Sequence, residues 1–221
     1  MNILHMTFSP RGAGSESTRL SRIVLDTLLE RHPAAAVQSH DYAALAHVDA
    51  VYAVELGTPQ PPEAAAIQTG TLRTSDALIR DLEAADCVVI GTPMHNYTVP
   101  SGLKAWIDHV VRVRRTFQPT PQGKVGTLHD RPIYVATSSG GLYSGENANQ
   151  PDFLTPYLKV ALRTIGLTDL TFFSVEGTAY GEPAVEQARA KTETEIAMHF
   201  ARQPMRQAYE GTRPFSELGV P

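Results

Sequence analysis

Apolar positions along the chain fall into two alternating patterns. The segment "NILHMTFS" is short, mostly apolar and closed by Ser9-Pro10, which predicts a buried strand. From Ser17 to Arg31, Leu20, Ile23, Val24 and Leu28 recur at helical spacing, with Arg19, Arg22, Asp26 and Glu30 on the other positions. That is an amphipathic helix. "AVQSHDY" then predicts a second strand, "TSDALIRDLEAAD" a helix capped by Thr74 or Ser75, and "CVVIGTP" a third strand that is apolar throughout. "SGLKAWIDHVVR" sets Leu103, Trp106, Ile107, Val110 and Val111 on one stripe, and "RPIYVATSS" predicts a fourth strand. Asp152 and Gly166 bracket the helix "FLTPYLKVALRTI", "LTFFSVEG" follows as a fifth strand, and "EPAVEQARAKTETEIAMHFA" closes the series with Pro183 near its start.

Two stretches break the alternation. The region through Pro59, Pro61 and Pro62 to Gly70 has no readable period, and "RTFQPTPQGKVGTLHD" carries two prolines and two glycines, which predicts a hairpin or extended excursion. Five strands alternating with helices require an α/β fold, a doubly wound, five-stranded parallel sheet with helices on both faces. It is expected over residues 1–202, with 203–221 as a Pro- and Gly-rich C-terminal extension.

Composition narrows the function classes. Over 221 residues the net charge is −4 and 42% of positions are hydrophobic, with no run near the roughly 18 apolar residues of a membrane helix. A mildly acidic chain is a poor match for nucleic-acid phosphates, and Arg112, Arg114 and Arg115 read as a solvated helix end. Cys87 sits inside "CVVIGT" and reads as a small core residue. No leader is legible in "MNILHMTFSP", so a cytoplasmic protein is expected. None of the eight histidines forms a metal-binding helical pair, and no metal is expected.

In a doubly wound sheet, ligands bind beyond the carboxyl ends of the strands. The first such loop, "SPRGAGSES", offers Ser9, Ser15, Ser17 and Thr18 hydroxyls and the start of a helix, a combination suited to an anion. It is a poor dinucleotide fingerprint. Ser17 replaces the last glycine, and Asp41 lies 29 residues beyond Gly12, where about 20 is usual. The alternative is that one serine merely caps the helix. The second loop, Pro93-Met94-His95-Asn96-Tyr97, sets a polarisable sulfur, an amide and an aromatic ring beside a buried strand, a suitable edge for a flat heterocycle. The third, Ser138-Ser139-Gly140-Gly141, lets the backbone approach a ligand closely.

"SPR" with "SES", then "PMHNY", "TSSGG" and "EGTAYG", in this order and spacing, make the chain resemble the FMN-dependent NADH:azoreductase family of flavodoxin-like NAD(P)H quinone reductases. The resemblance implies a flavodoxin-like strand order 2-1-3-4-5 and bound FMN. NADH or NADPH would be the electron donor, and quinones and azo compounds the acceptors, in a two-step exchange. It assigns Ser9, Arg11, Ser15, Glu16 and Ser17 to the FMN phosphate. Pro93, Met94, His95, Asn96 and Tyr97 would line the isoalloxazine, and Ser138, Ser139, Gly140 and Gly141 its pyrimidine edge, with amides from Ser139 to Gly141 stabilising charge there. His95 is a candidate proton donor. Phe117 and Tyr143 are candidates for the acceptor pocket by loop position and residue type. A homodimer is also implied, with the Trp106 helix and the 117–130 excursion completing the partner's site. The family often has Tyr at position 95, Phe at 97 and Arg at 139, where this chain has His, Tyr and Ser.

Rival classes fit less well. A flavodoxin-type electron carrier would bind FMN without turning over NAD(P)H, but such carriers are usually strongly acidic. A phosphoacceptor domain would need an acidic cluster where Ser9-Pro10-Arg11 stands, and a serine hydrolase would need a glycine-x-serine-x-glycine elbow that is missing.

Overall fold

A computed structural model describes residues 1–58, 67 and 69–202. The proposed extension 203–221 and most of the proline-rich stretch near Pro61 lie outside the described residues. The central sheet contains β1 (Asn2–Thr7), β2 (Ala36–Asp41), β3 (Cys87–Pro93), β6 (Ile133–Ser138) and β7 (Leu170–Val175). All neighbours are parallel, in the order β2-β1-β3-β6-β7. The expected order 2-1-3-4-5 becomes 2-1-3-6-7, because two strands of a separate hairpin fall between the third and fourth strands of the sheet. Two further strands, β4 (Phe117–Thr120) and β5 (Gly123–Gly126), pair antiparallel as a separate hairpin in the 115–130 excursion.

Among the described residues six α-helices accompany them: α1 (Glu16–Arg31), α2 (Ala50–Gly57), α3 (Gly70–Ala84), α4 (Ser101–Val110), α5 (Thr155–Thr164) and α6 (Glu182–Arg202). Two apolar clusters cover the two sheet faces. One packs Phe8, Ile90, Leu103, Trp106 and Leu158; the other packs Leu20, Val24, Val89, Phe173 and Phe200. Every side chain of β3 is buried, the expected result for a parallel strand covered on both faces. Cys87 lies within it, and burial pushes its thiol up to about 12. Among the described residues no helix is long and apolar enough to cross a membrane.

Three local expectations change. Thr74 and Ser75 do not cap α3, which starts at Gly70. Its N-cap is Thr69, which makes no side-chain capping bond; Asp49, the N-cap of α2, accepts from Tyr52 N at 2.8 Å and also from Thr71 N of α3 at 3.0 Å, while Ser75 is buried and donates to His109 O at 2.6 Å. α2 itself falls in the stretch expected to be irregular. Arg112 is not a solvated helix end. It is buried, donates to Ser75 Oγ at 3.2 Å and faces Asp76 at 3.7 Å.

Candidate functional site

Parallel strands deliver their carboxyl ends to one edge, where Thr7 pairs with Gly91 and Pro93 with Ser138, which pairs in turn with Val175. The chain leaving β1 is anchored by Phe8, whose N–H donates to Gly91 O at 2.9 Å and whose ring meets Trp106 edge-on at 6.1 Å. Ser9 O then accepts from Gly12 N at 3.0 Å, and Ser9 Oγ from Arg11 N at 3.3 Å. Gly12 has φ +54°, a conformation open to glycine at little cost. A single 3-10 turn, Gly12–Gly14, leads into α1.

The start of α1 has unspent donors. Ser15 is its N-cap by backbone, yet its side chain makes no capping bond; its hydroxyl meets Ser17 Oγ at 2.9 Å. Thr18 Oγ1 is buried with no hydrogen-bond partner. The first amides of a helix have no intrahelical acceptor, so two paired hydroxyls stand at a helix N-terminus, an arrangement suited to an anion, whereas Thr18 lines a separate hollow with His5, Arg22 and Asp41. Gly91 makes the position possible, because a Cβ there would lie 2.7 Å from Ser21 Oγ and 3.0 Å from Ser17 O. Glu16 turns its carboxylate away from this cradle to Arg189 and Arg19, and hydrogen bonding from Arg189 foremost holds it below the usual carboxylate range. Arg11 is exposed.

Beyond β3, Met94 N donates to Ser138 O at 2.7 Å and Met94 Sδ accepts from Gln150 Nε2 at 3.3 Å. His95 and Thr98 exchange backbone bonds at 2.9 and 3.0 Å across Asn96 (φ 48°) and Tyr97 (φ 70°). Positive φ at both central residues is a type I′ turn, which favours Asn-Gly. Tyr at the second position carries strain of order 1–3 kcal/mol, a feature that concentrates at functional sites. The turn leaves the Tyr97 ring 49% exposed and His95 exposed beside it. Phe153, 59% exposed, donates its N–H to Tyr97 O at 3.0 Å. Sequence patterning puts Phe153 at the start of a helix after Asp152, but α5 begins only at Thr155, which leaves Phe153 in the loop before it.

The third loop is tied down by the fourth. Ser139 N donates to Val175 O at 3.1 Å, so among the amides expected to stabilise charge this one is already committed. Thr178 N and Ala179 N donate to the carbonyls of Ser139 and Gly140, and Ser139 Oγ donates to Gly141 O at 2.6 Å. The amides of Gly140 and Gly141 remain. Glu176, the first residue of "EGTAYG", accepts from Tyr143 N, Ser144 N and both Ser144 Oγ and Ser174 Oγ. The Tyr143 hydroxyl is bonded inward to Thr137 Oγ1 at 2.7 Å, and burial raises its pKa.

Ser9, Ser15, Ser17, Pro93 to Tyr97 and Ser138 to Gly141 thus gather at one edge of the sheet. Phe117 does not. It opens the hairpin that follows α4, next to Arg115, which pairs with Glu83 just before β3 begins. Phe117 therefore lies toward the amino ends of the strands. Trp106 is 1% exposed and packed in the core, so its stripe is not free for a partner.

A doubly wound sheet in this order, with a hydroxyl-lined helix start at its switch point, is the arrangement of flavodoxin-like, phosphate-binding proteins. The chain belongs to the flavodoxin-like fold family, whose model matches residues 1–200. It is 45% identical over 186 residues to FMN-dependent NADH:quinone oxidoreductase 4 of Pseudomonas fluorescens, covering 83% of this chain and 88% of that protein. A relative called FMN-dependent NADH:quinone oxidoreductase in Aromatoleum aromaticum is 41% identical over 89% of this chain and 98% of its own. Among solved structures, an azoreductase of Bacillus anthracis superposes with a TM-score of 0.77 at 24% identity, covering 90% of this chain and 97% of that one. An FMN-dependent NADH-azoreductase of the same species, in complex with FMN, gives 0.72 at 21% identity, over 90% and 98%.

Proposed function

We infer that this chain is an FMN-dependent NAD(P)H oxidoreductase that reduces quinones and azo compounds, acting as a cytoplasmic homodimer. The names of the relatives at 41–45% identity support the activity. The observation that carries the cofactor is the start of α1, where Ser15 makes no side-chain capping bond and its hydroxyl pairs instead with that of Ser17 at 2.9 Å. Bound FMN supplies the acceptance of hydride from the nicotinamide and its onward transfer as two electrons.

The protein's part is holding and screening. Ser9, Ser15 and Ser17 would bind the phosphate with the first amides of α1; Glu16 contributes only its backbone, since its carboxylate is engaged by Arg189. Met94 and the Asn96-Tyr97 turn would flank the ring system, and the amides of Gly140 and Gly141 would stabilise negative charge at its pyrimidine edge. His95, exposed beside the Asn96-Tyr97 turn, would give a proton to an acceptor. Donor and acceptor would use the same open face in turn. The hairpin bearing Phe117, with Val125 55% exposed, would enter the site of a second copy. A preparation that is yellow, takes up FMN and oxidises NADH only when a quinone is added fits this reading. FMN binding without turnover would instead establish an electron carrier, and failure to take up FMN would refute both.

A further inference from the structure

We propose that Arg189, reaching from α6 to the first residue of α1, is a positioning residue that sets the affinity of the cradle for a phosphate by cancelling the charge of Glu16. This rests on the flavin reading above.

Glu16 is the acidic residue in the first turn of α1. A carboxylate there competes with a bound anion for the positive end of the helix and repels it. The structure relieves that conflict from 173 residues away. Arg189 Nε approaches Glu16 Oε2 at 2.9 Å and Nη2 approaches Oε1 at 2.5 Å, a two-pronged contact that fixes the carboxylate as well as neutralising it. Arg19 Nε adds a third contact at 3.1 Å. Glu182 steadies Arg189 at 3.0 Å and Glu193 steadies Arg19 at 2.7 Å. The cluster therefore holds three carboxylates against two guanidiniums, and removing Arg189 leaves two uncompensated negative charges beside the cradle. Arg19 Nη2 is shielded from solvent without an acceptor, so the network is not saturated on the cationic side. Side-chain exposures of 17% for Glu16 and 28% for Arg189 keep the pair out of full solvent screening.

The test is titration of apo-protein with FMN and, in parallel, with riboflavin, which lacks the phosphate. Arg189→Ala should weaken FMN about tenfold, or about 1.4 kcal/mol, and leave riboflavin within about twofold. Adding Glu16→Gln to that variant should restore FMN to within about threefold of wild type, because the charge needing compensation is gone. Arg189→Lys, which keeps the charge but loses the two-pronged contact, should lose less FMN affinity than Arg189→Ala and again spare riboflavin. Equal losses for the two flavins, no rescue by Glu16→Gln, or no loss in Arg189→Ala would overturn the inference. Wild-type protein that binds FMN no better than riboflavin would overturn the phosphate cradle itself.

Discussion

Replacing Ser17 probes the cradle directly. Its side chain is fully buried and its oxygen lies 2.9 Å from Ser15 Oγ, so an aspartate carboxylate there would stand roughly 4 Å from any phosphate bonded to Ser15. Two unit charges at about 4 Å repel by about 4 kcal/mol at an effective dielectric constant of about 20, and a phosphate monoester carries close to two. Ser17→Asp should therefore lower FMN affinity by at least about a thousandfold at pH 7–8. Burial would also raise the new carboxyl's pKa, so part of the affinity should return as the pH falls toward 5. Ser17→Ala is the milder control. It removes one hydrogen bond to a charged group, about 1.5–3 kcal/mol gross, but frees Ser15 Oγ from its present partner, leaving a loss near tenfold. Quenching of flavin fluorescence on binding gives both constants. FMN affinity unchanged in Ser17→Asp, or equal losses of FMN and riboflavin in Ser17→Ala, would show that the phosphate sits elsewhere.

Other consequences are open to measurement. Gly91→Ala would place a Cβ 2.7 Å from Ser21 Oγ, overpacking that costs about 1–3 kcal/mol; a melting temperature equal to wild type would contradict the close approach of α1 to β3. His5 is buried and bonded to Ser21 Oγ at 2.9 Å, and burial, reinforced by Arg22 and opposed by Asp26, lowers its pKa from 6.5 to about 4. The unfolded chain then binds more protons between those values, so this residue's contribution is complete above pH 6.5 and is lost toward pH 4, by about 3 kcal/mol. Urea unfolding between pH 4 and 8 should show a flatter dependence in His5→Gln than in wild type, and identical slopes would rule the assignment out. Glu176→Ala strips the partners of Tyr143 N and Ser144 N, at about 2 kcal/mol; amide exchange at those residues should quicken by at least about tenfold, and unchanged exchange would mean that the loop is held otherwise.

Much of the architecture was legible because it is carried by local signals. A run such as "CVVIGTP" with every side chain buried, and the Leu20-Ile23-Val24-Leu28 period of α1, are each decided within one element. Partners far along the chain were not legible. Thr74 and Ser75 have the residue types of a helix cap, but Ser75 spends its hydroxyl on a carbonyl 34 residues away and Asp49 accepts first-turn amides from two helices at once. Arg112 looked like a solvated cation because nothing nearby in sequence announces Ser75 and Asp76 as its partners.

The same distinction separates the parts of the site. Hydroxyls before a helix and glycines after a strand announce a place where backbone and donors are free, and the structure gathers those residues at one edge of the sheet. What the sequence does not announce is which polar groups are already engaged. Ser139 N is used up by Val175 O, and the Glu16 carboxylate by an arginine on the last helix, while Thr18 Oγ1, which looks like an ordinary helical hydroxyl, has no partner. Binding capacity belongs to the donors left over after folding. That remainder, at Ser15, Ser17 and the first amides of α1 and at the Gly140-Gly141 amides, is the ground on which we propose a single phosphate at one end and a charge-accepting ring edge at the other.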